Sequence, residues 1–482
     1  MNARDKSAGA ATPAPEKTAG APPPKEIGWL PDCVYTGEKF ETGLAFFADA
    51  LGRITRFSRE PADLAAAKRL PGQAALPGLV NTHSQVWQRV LRGRLDLRAR
   101  GDRDRLGPGR EARDHAWNRL TPEDICDVAR MGFIEMLLSG ITCVGESHFL
   151  HRSPDGTPWP EPLLAAQEIL RAAREVGIRI AFLHGAWVRA DFGQPAGSAP
   201  PRCLTGTADE FVRETDALRD HVDRNLPGDD AWVGVAPHSL GGVPLDFLKT
   251  VAAYARAKRF RLHLRVGERE DEAAACRAEY GREPVALLAE HGLLDKRFTA
   301  IHGTHLGDED ARVLGGARVT VCACPGAEWA GADGGVPTGK LLAAGAAIAL
   351  GTDGQAQANL LGDARLLEFQ LRSDRQRAAA WPADGATPLW HAATVAGARS
   401  LGAPSGALEV GRPADFFTVN LFDPSLAGAA PETLLPAVVF ASSPRAIREV
   451  WVGARQRVGQ WRHPLQSSAI ARFAELQKRI WA

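Results

Sequence analysis

From about residue 75 the chain alternates short apolar runs with longer runs of helical period. Residues 75–81 read as a first buried strand. Thr121-Pro122-Glu123-Asp124 reads as a helix start: Thr121 is the N-cap, Pro122 opens the first turn, and the acids face the positive end of the helix dipole. This helix is expected to reach about Ser139, with Gly140 in the left-handed position that ends it. The alternation continues with strand 141–144, helix 161–176, strand 178–184 and a helix opened by a Thr207/Glu210 capping box. Strand 231–236, helix 244–258 and strand 261–266 come next. Helix 284–291 leads to strand 298–302, helix 308–314 to strand 318–322, and helix 339–344 to strand 347–350. Helices 359–372 and 388–401 close the series. About eight strand–helix repeats predict an α/β fold, a parallel (β/α)8 TIM-like barrel. A doubly wound open sheet is the alternative. The first strand is not followed by a GxGxxG phosphate loop, which favours the barrel.

The flanks differ in texture. Residues 28–74 and 405–462 carry short, turn-punctuated β-like runs, each too short for a stable sheet alone. They are expected to form one small β-sandwich domain from both chain ends, around a barrel at 75–404. Residues 1–27 are rich in Ala, Pro, Lys and Glu and are expected to be a disordered tail. Residues 463–482 are expected to form a helix with Ile470, Phe473, Leu476 and Ile480 near one face.

Composition changes this picture little. Of 482 residues, 45% are hydrophobic and 24% charged, ordinary for a globular protein, and the net charge of +1 argues against a broad nucleic-acid or membrane footprint. Seven scattered cysteines without CxxC spacing read as reduced thiols of a cytoplasmic protein. No apolar run is long enough to span a bilayer.

The candidate chemistry lies at the C-terminal ends of the strands, where such barrels place their sites. His83, Gln85 and Gln88 follow the first strand, and Glu146 and His148 the second. His184 and His238 follow the third and fourth; His263, Arg265 and Glu268 lie at the fifth. His302 and His305 mark the sixth, Cys322, Cys324 and Glu328 the seventh, and Asp353 the eighth. A lone strand-end histidine is usually structural. Polar groups converging from most of the strands point to a site.

These pieces resemble the amidohydrolase superfamily, and within it formimidoylglutamate deiminases. The resemblance rests on Asn81-Thr82-His83-Ser84 with Gln88-Arg89, His148 with His151, Pro237-His238-Ser239-Leu240 and His302-Gly303-Thr304-His305. It also rests on Cys324-Pro325 with Glu328, Gly351-Thr352-Asp353 and Gly411-Arg412-Pro413-Ala414-Asp415. It implies hydrolysis of a C–N bond in a formimino (amidine) substrate, such as N-formimino-L-glutamate. It also implies a homodimer and one zinc ion, held by two histidines after strand one, a histidine at strand five and an aspartate after strand eight. Carried over, His83 and Asp353 are metal ligands, Glu268, His302 and Asp353 are catalytic, and Gln88, His238 and His148 bind substrate.

Several positions depart from that pattern. Gln85 and Arg265 stand at the other two ligand positions, Gln355 replaces a histidine after strand eight, and Gly241 stands where an arginine would clamp a substrate carboxylate. Arginine presents only donors and cannot ligate a metal. Arg265 is therefore expected to occupy the cation's place and pair with Asp353 or Glu268. A shifted site of His83, His263, His302 and Asp353 is a further possibility, as is sulfur from Cys322 and Cys324. The alternative to an enzyme is a metal-free pseudoenzyme, a ligand- or partner-binding barrel.

Overall fold

A computed structural model describes residues 26–94, 107–226, 228–331, 333–354, 357–375 and 385–482. The expected tail at 1–27, except for its last two residues, and the position of Gln355 lie outside the described residues.

Five strands precede the barrel: β1 (Ile27–Tyr35), β2 (Phe40–Thr42), β3 (Ala45–Ala48), β4 (Ile54–Ser58) and β5 (Lys68–Pro77). The barrel strands are β6 (Leu79–Ser84), β7 (Ile141–His148), β8 (Arg179–Ala186), β9 (Ala231–Pro237), β10 (Leu262–Val266), β11 (Phe298–His302), β12 (Thr320–Ala323) and β13 (Ala347–Leu350). Each is hydrogen-bonded to the next, all parallel. A parallel bridge between Ser84 and Asp353 joins the last strand to the first, so the sheet closes into the expected (β/α)8 barrel.

β14 (Phe416–Asn420), β15 (Ile447–Val452) and β16 (Arg455–Val458) join β1–β5 in a second sheet, ordered β16-β15-β14-β5-β1-β3-β4 with β2 on β1. Trp29 on β1 and Trp451 on β15 are three strands apart, which is about 14 Å in a flat sheet. Their rings are 5.3 Å apart, with Phe46 and Phe416 in the same cluster. The sheet therefore curls over an aromatic core as a sandwich built from both chain ends.

The run at 75–81 is not one strand. Its first part ends β5 in the small sheet, and β6 starts the barrel after Gly78. A Cβ at Gly78 would lie 2.0 Å from Thr142 Oγ1, so the chain can cross between the sheets there only as glycine. The helix expected at 388–401 is likewise two, Ala386–Ala393 and Val395–Leu401. Thr394 divides them: its hydroxyl donates back to the Trp390 carbonyl (2.6 Å) and its backbone leaves the helical region.

Helix Pro122–Leu138 follows its sequence signals. Thr121 and Asp124 cap each other reciprocally, and Gly140 has φ +80°. Ile125, Val128, Phe133, Ile134 and Leu137 are fully buried against the barrel, each contributing about 1.5–3 kcal/mol of apolar burial. The last helix, Gln466–Trp481, buries Ala469, Phe473, Leu476 and Ile480, while Ile470 is 48% exposed. Ile470 is one residue out of phase with that stripe, so the expected face is rotated. Gln477 donates to the Val90 carbonyl and Trp481 stacks on His115, which fastens this helix over the segment that follows β6.

Among the described residues no helix is long and apolar enough to cross a membrane. All seven cysteines are free and buried.

Candidate active site at the barrel mouth

The seam between β6 and β13 sets the centre of the site. The amides of Thr352 and Asp353 both donate to the His83 carbonyl, at 2.9 and 3.0 Å. Beneath them the Asn81 side chain donates to Thr352 Oγ1 and accepts from its amide. This zipper fixes His83, Gln85 and Asp353 against one another. Asp353 (φ +36°) and His302 (φ +67°) both sit in left-handed backbone. Such conformations cost about 1–3 kcal/mol each and persist where the surroundings over-determine them.

Asp353 Oδ1 accepts from Gln85 Nε2 (2.8 Å) and lies 3.1 Å from His83 Nε2 and 3.8 Å from Arg265 Nη2. Burial pushes this carboxyl upward, but His83, Arg265 and His302 together hold it far below the usual carboxylate range. Arg265 also places Nε 3.5 Å from Glu268 Oε2. The guanidinium thus lies between the two carboxylates.

His302 is ringed by acids. Its Nδ1 is 3.2 Å from Glu328 Oε1, and its Nε2 is 3.6 Å from Glu268 and 3.8 Å from Asp353. Burial opposes its charge, yet these three carboxylates push its pKa up to about 9, so it is an imidazolium at neutral pH. Burial instead lowers His83, which also faces Arg265 and His302, and its Nδ1 is 3.2 Å from Ser147 Oγ. Glu146 sits below, pushed up to about 8 by burial, and accepts the Val86 amide to hold the turn after β6.

A cavity of about 360 Å3 opens above this centre. Gln85, Gln88, His238, Arg265, Glu268 and Asp353 line it. His238 stacks on Trp187 at 3.8 Å and is held well below its usual pKa by burial and by Arg265. His148 is not among the lining residues: it is buried, with Nε2 on the Leu150 carbonyl, in contact with His151 and Phe182. His263 faces Ser400 (3.5 Å) and, among the described residues, is not part of a converging ligand group. Sequence reasoning missed Trp87, Trp117, Trp187, Phe192 and Glu272 as lining residues. Trp187, just beyond the end of β8, was the one with a positional signal.

The ligand atoms of His83, His302 and Asp353 lie within 4.8 Å of one another. They do not reproduce the four-ligand zinc arrangement that the resemblance implies. Gln85 directs its amide N–H, a donor, at Asp353, and the strand-five position carries a permanent cation. A second converging group, His302, Cys324 and Glu328, is engaged internally: Glu328 Oε1 accepts the Cys324 amide and faces His302, and burial raises the Cys324 thiol well above its usual pKa.

The family model described as "Amidohydrolase family" matches residues 74–457. The formimidoylglutamate deiminase of Pseudomonas aeruginosa is 32% identical over 424 residues, 87% of this chain and 92% of that protein. An amidohydrolase from Brucella melitensis superposes with a TM-score of 0.86 at 25% identity, over 95% of this chain and 100% of that one. An adenosine deaminase from Xanthomonas campestris, solved with bound zinc, superposes with a TM-score of 0.77 at 23% identity, over 95% and 99% of the two chains.

Proposed function

Because this chain belongs to the amidohydrolase family, we propose that its barrel mouth is a small-molecule binding site inherited from a C–N hydrolase, in which zinc-dependent activation of water no longer operates. One observation carries this reading: the Arg265 guanidinium lies 3.5 Å from Glu268 and 3.8 Å from Asp353, at the strand-five ligand position. Arginine stays protonated and offers no lone pair. Two unit charges about 4 Å apart interact by ~4 kcal/mol at an effective dielectric of about 20, and a divalent ion would double the repulsion. Gln85 adds a donor where an acceptor is required.

A second reading is the hydrolysis of a formimino C–N bond, as the name of the Pseudomonas relative suggests. The retained constellation favours it. In this reading Glu268 would move a proton to a leaving nitrogen, Asp353 would accept one from water, and His302, close to both acids, would polarise the amidine. Water would add to the formimino carbon and ammonia would leave. Without a Lewis acid the nucleophile is water held by one strongly acidic carboxyl, a poor base.

Zinc content and ammonia release from N-formimino-L-glutamate, measured on the same purified protein, separate the two. The expected result is well below one zinc per chain and no ammonia above background. Stoichiometric zinc with turnover would sink the binding-protein reading. Gln85→His with Arg265→His should recover zinc binding, seen as a rise in melting temperature on adding zinc; ligand at about 100 times its Kd adds ~2.7 kcal/mol. By family resemblance the protein should be a homodimer in light scattering.

A further inference from the structure

We propose that Cys324, Glu328 and His302, with the Cys322 thiol beside them, form a site for one thiophilic divalent metal ion. The site lies outside the cavity lining and is distinct from the group of His83, His302 and Asp353.

The donors converge. One ligand atom each of His302, Cys324 and Glu328 lies within 4.8 Å of the other two, and all three residues are buried. Around a tetrahedral ion with bonds of about 2.0–2.3 Å, ligand atoms stand about 3.3–3.8 Å apart. His302 Nδ1 and Glu328 Oε1 already stand at 3.2 Å, so it is the sulfur that has to close, by up to about 1 Å. The Cys322 thiol is hydrogen-bonded to Cys324 and offers a fourth donor. Two further features set this group apart from an ordinary packed thiol. Glu328 is 1% exposed, yet its second oxygen, Oε2, is buried without a hydrogen-bond partner. An unpaired carboxylate oxygen in the interior is costly, and a cation relieves it. Gly351 presents bare backbone to the sulfur: a Cβ there would lie 2.9 Å from Cys324 Sγ.

The charges fit a divalent ion. A Cys324 thiolate and the Glu328 carboxylate carry two negative charges, and a neutral His302 ring completes the three donors. Binding releases one proton from Cys324 and one from His302 to solvent. The group therefore passes from net zero (thiol, carboxylate, imidazolium) to net zero (thiolate, carboxylate, imidazole and ion), which suits a buried site. Sulfur with imidazole selects borderline and soft ions over magnesium and calcium. Glu328 Oε1 accepts the Cys324 amide (2.7 Å) and faces His302, so the donors hold one another in place until an ion competes for them. The site is therefore expected to load when the ion is supplied, not on isolation. His302 Nε2 also lies 3.6 Å from Glu268 and 3.8 Å from Asp353, so an ion taken here changes the charge that the mouth presents.

Titration of the reduced full chain with Cd2+, a spectroscopic probe of sulfur ligation, tests the proposal. A thiolate-to-metal charge-transfer band should grow to a plateau at about one ion per chain. Cys324→Ala should abolish the band, and Glu328→Gln should weaken binding about tenfold or more. Cys126→Ala, at a buried thiol on the helix Pro122–Leu138, should leave both unchanged. If Cys324→Ala misfolds by circular dichroism, Cys324→Ser takes its place. The group of His83, His302 and Asp353 contains no sulfur, so the band reports this site alone. No band, a band that survives the loss of Cys324, or binding indifferent to Glu328→Gln would overturn the proposal. Zinc content and ammonia release stay separate readouts. Zinc without turnover that disappears in Cys324→Ala would belong to this site and would leave the metal-free mouth standing.

Discussion

Asp415 is a buried aspartate and Asp353 a half-buried one; both face an arginine, and they are built in opposite ways. Asp415, at the entry to β14, faces Arg179 through both oxygens, with Nε at 2.7 Å and Nη2 at 3.2 Å. Ser405 Oγ and the Gly453 amide each donate to it at 2.7 Å. It pins β8 of the barrel to the small sheet with its acceptors filled. Asp353 has one short bond, from Gln85, and its arginine stands off at 3.8 Å. Around it, His302 Nε2 and Arg265 Nε are buried without a hydrogen-bond partner. A joint between domains satisfies its groups at once. A binding site leaves donors and charges in reserve for something that arrives.

The sharpest way to break this contrast is Asp415→Asn. It leaves the Arg179 guanidinium buried with much of its compensation gone, and should cost about 3–5 kcal/mol in urea denaturation. A loss below about 1 kcal/mol would mean the joint is no stronger than an exposed ion pair.

Second comes the pH dependence of the site. His302 binds its proton more tightly folded (about 9) than unfolded. Its contribution is therefore complete below about pH 6.5 and is lost as pH rises through about 9, on the order of 3 kcal/mol in all. Glu146, raised to about 8, slopes the same way between its unfolded value and 8. The difference between wild type and His302→Gln, in stability measured from pH 6 to about 10, isolates the histidine. Parallel curves would show that its three acids do not hold the proton.

Asp353→Asn should have the smallest effect, about 1–2 kcal/mol, because asparagine still accepts from Gln85 and Arg265 keeps Glu268. Equal losses for Asp353→Asn and Asp415→Asn would erase the distinction between site and joint.

The barrel was legible because its signals are local. The Thr121 N-cap and the Thr207/Glu210 capping pair form as read, and the apolar runs fall on buried strands. The breaks at Gly78 and Thr394 were not legible, since each depends on a partner the local pattern does not contain: Thr142 on the neighbouring strand β7, and the return of a hydroxyl to Trp390. In the site, residue types marked His83, Gln85, Arg265, Glu268, His302 and Asp353. That Arg265 lies between both acids, 3.5 Å from Glu268 and 3.8 Å from Asp353, and that three tryptophans from separate segments share one wall, are facts of three-dimensional convergence. Periodicity carries no information about either. His148 shows the converse: its strand-end position is as favourable as that of His238, yet its ring turns into the core.

A guanidinium wedged between two carboxylates is a cation encoded in the gene instead of collected from solution. It has no off-rate, cannot be stripped by a chelator and does not vary with a cell's supply of zinc. A barrel carrying it has the same central charge in every copy from the moment it folds.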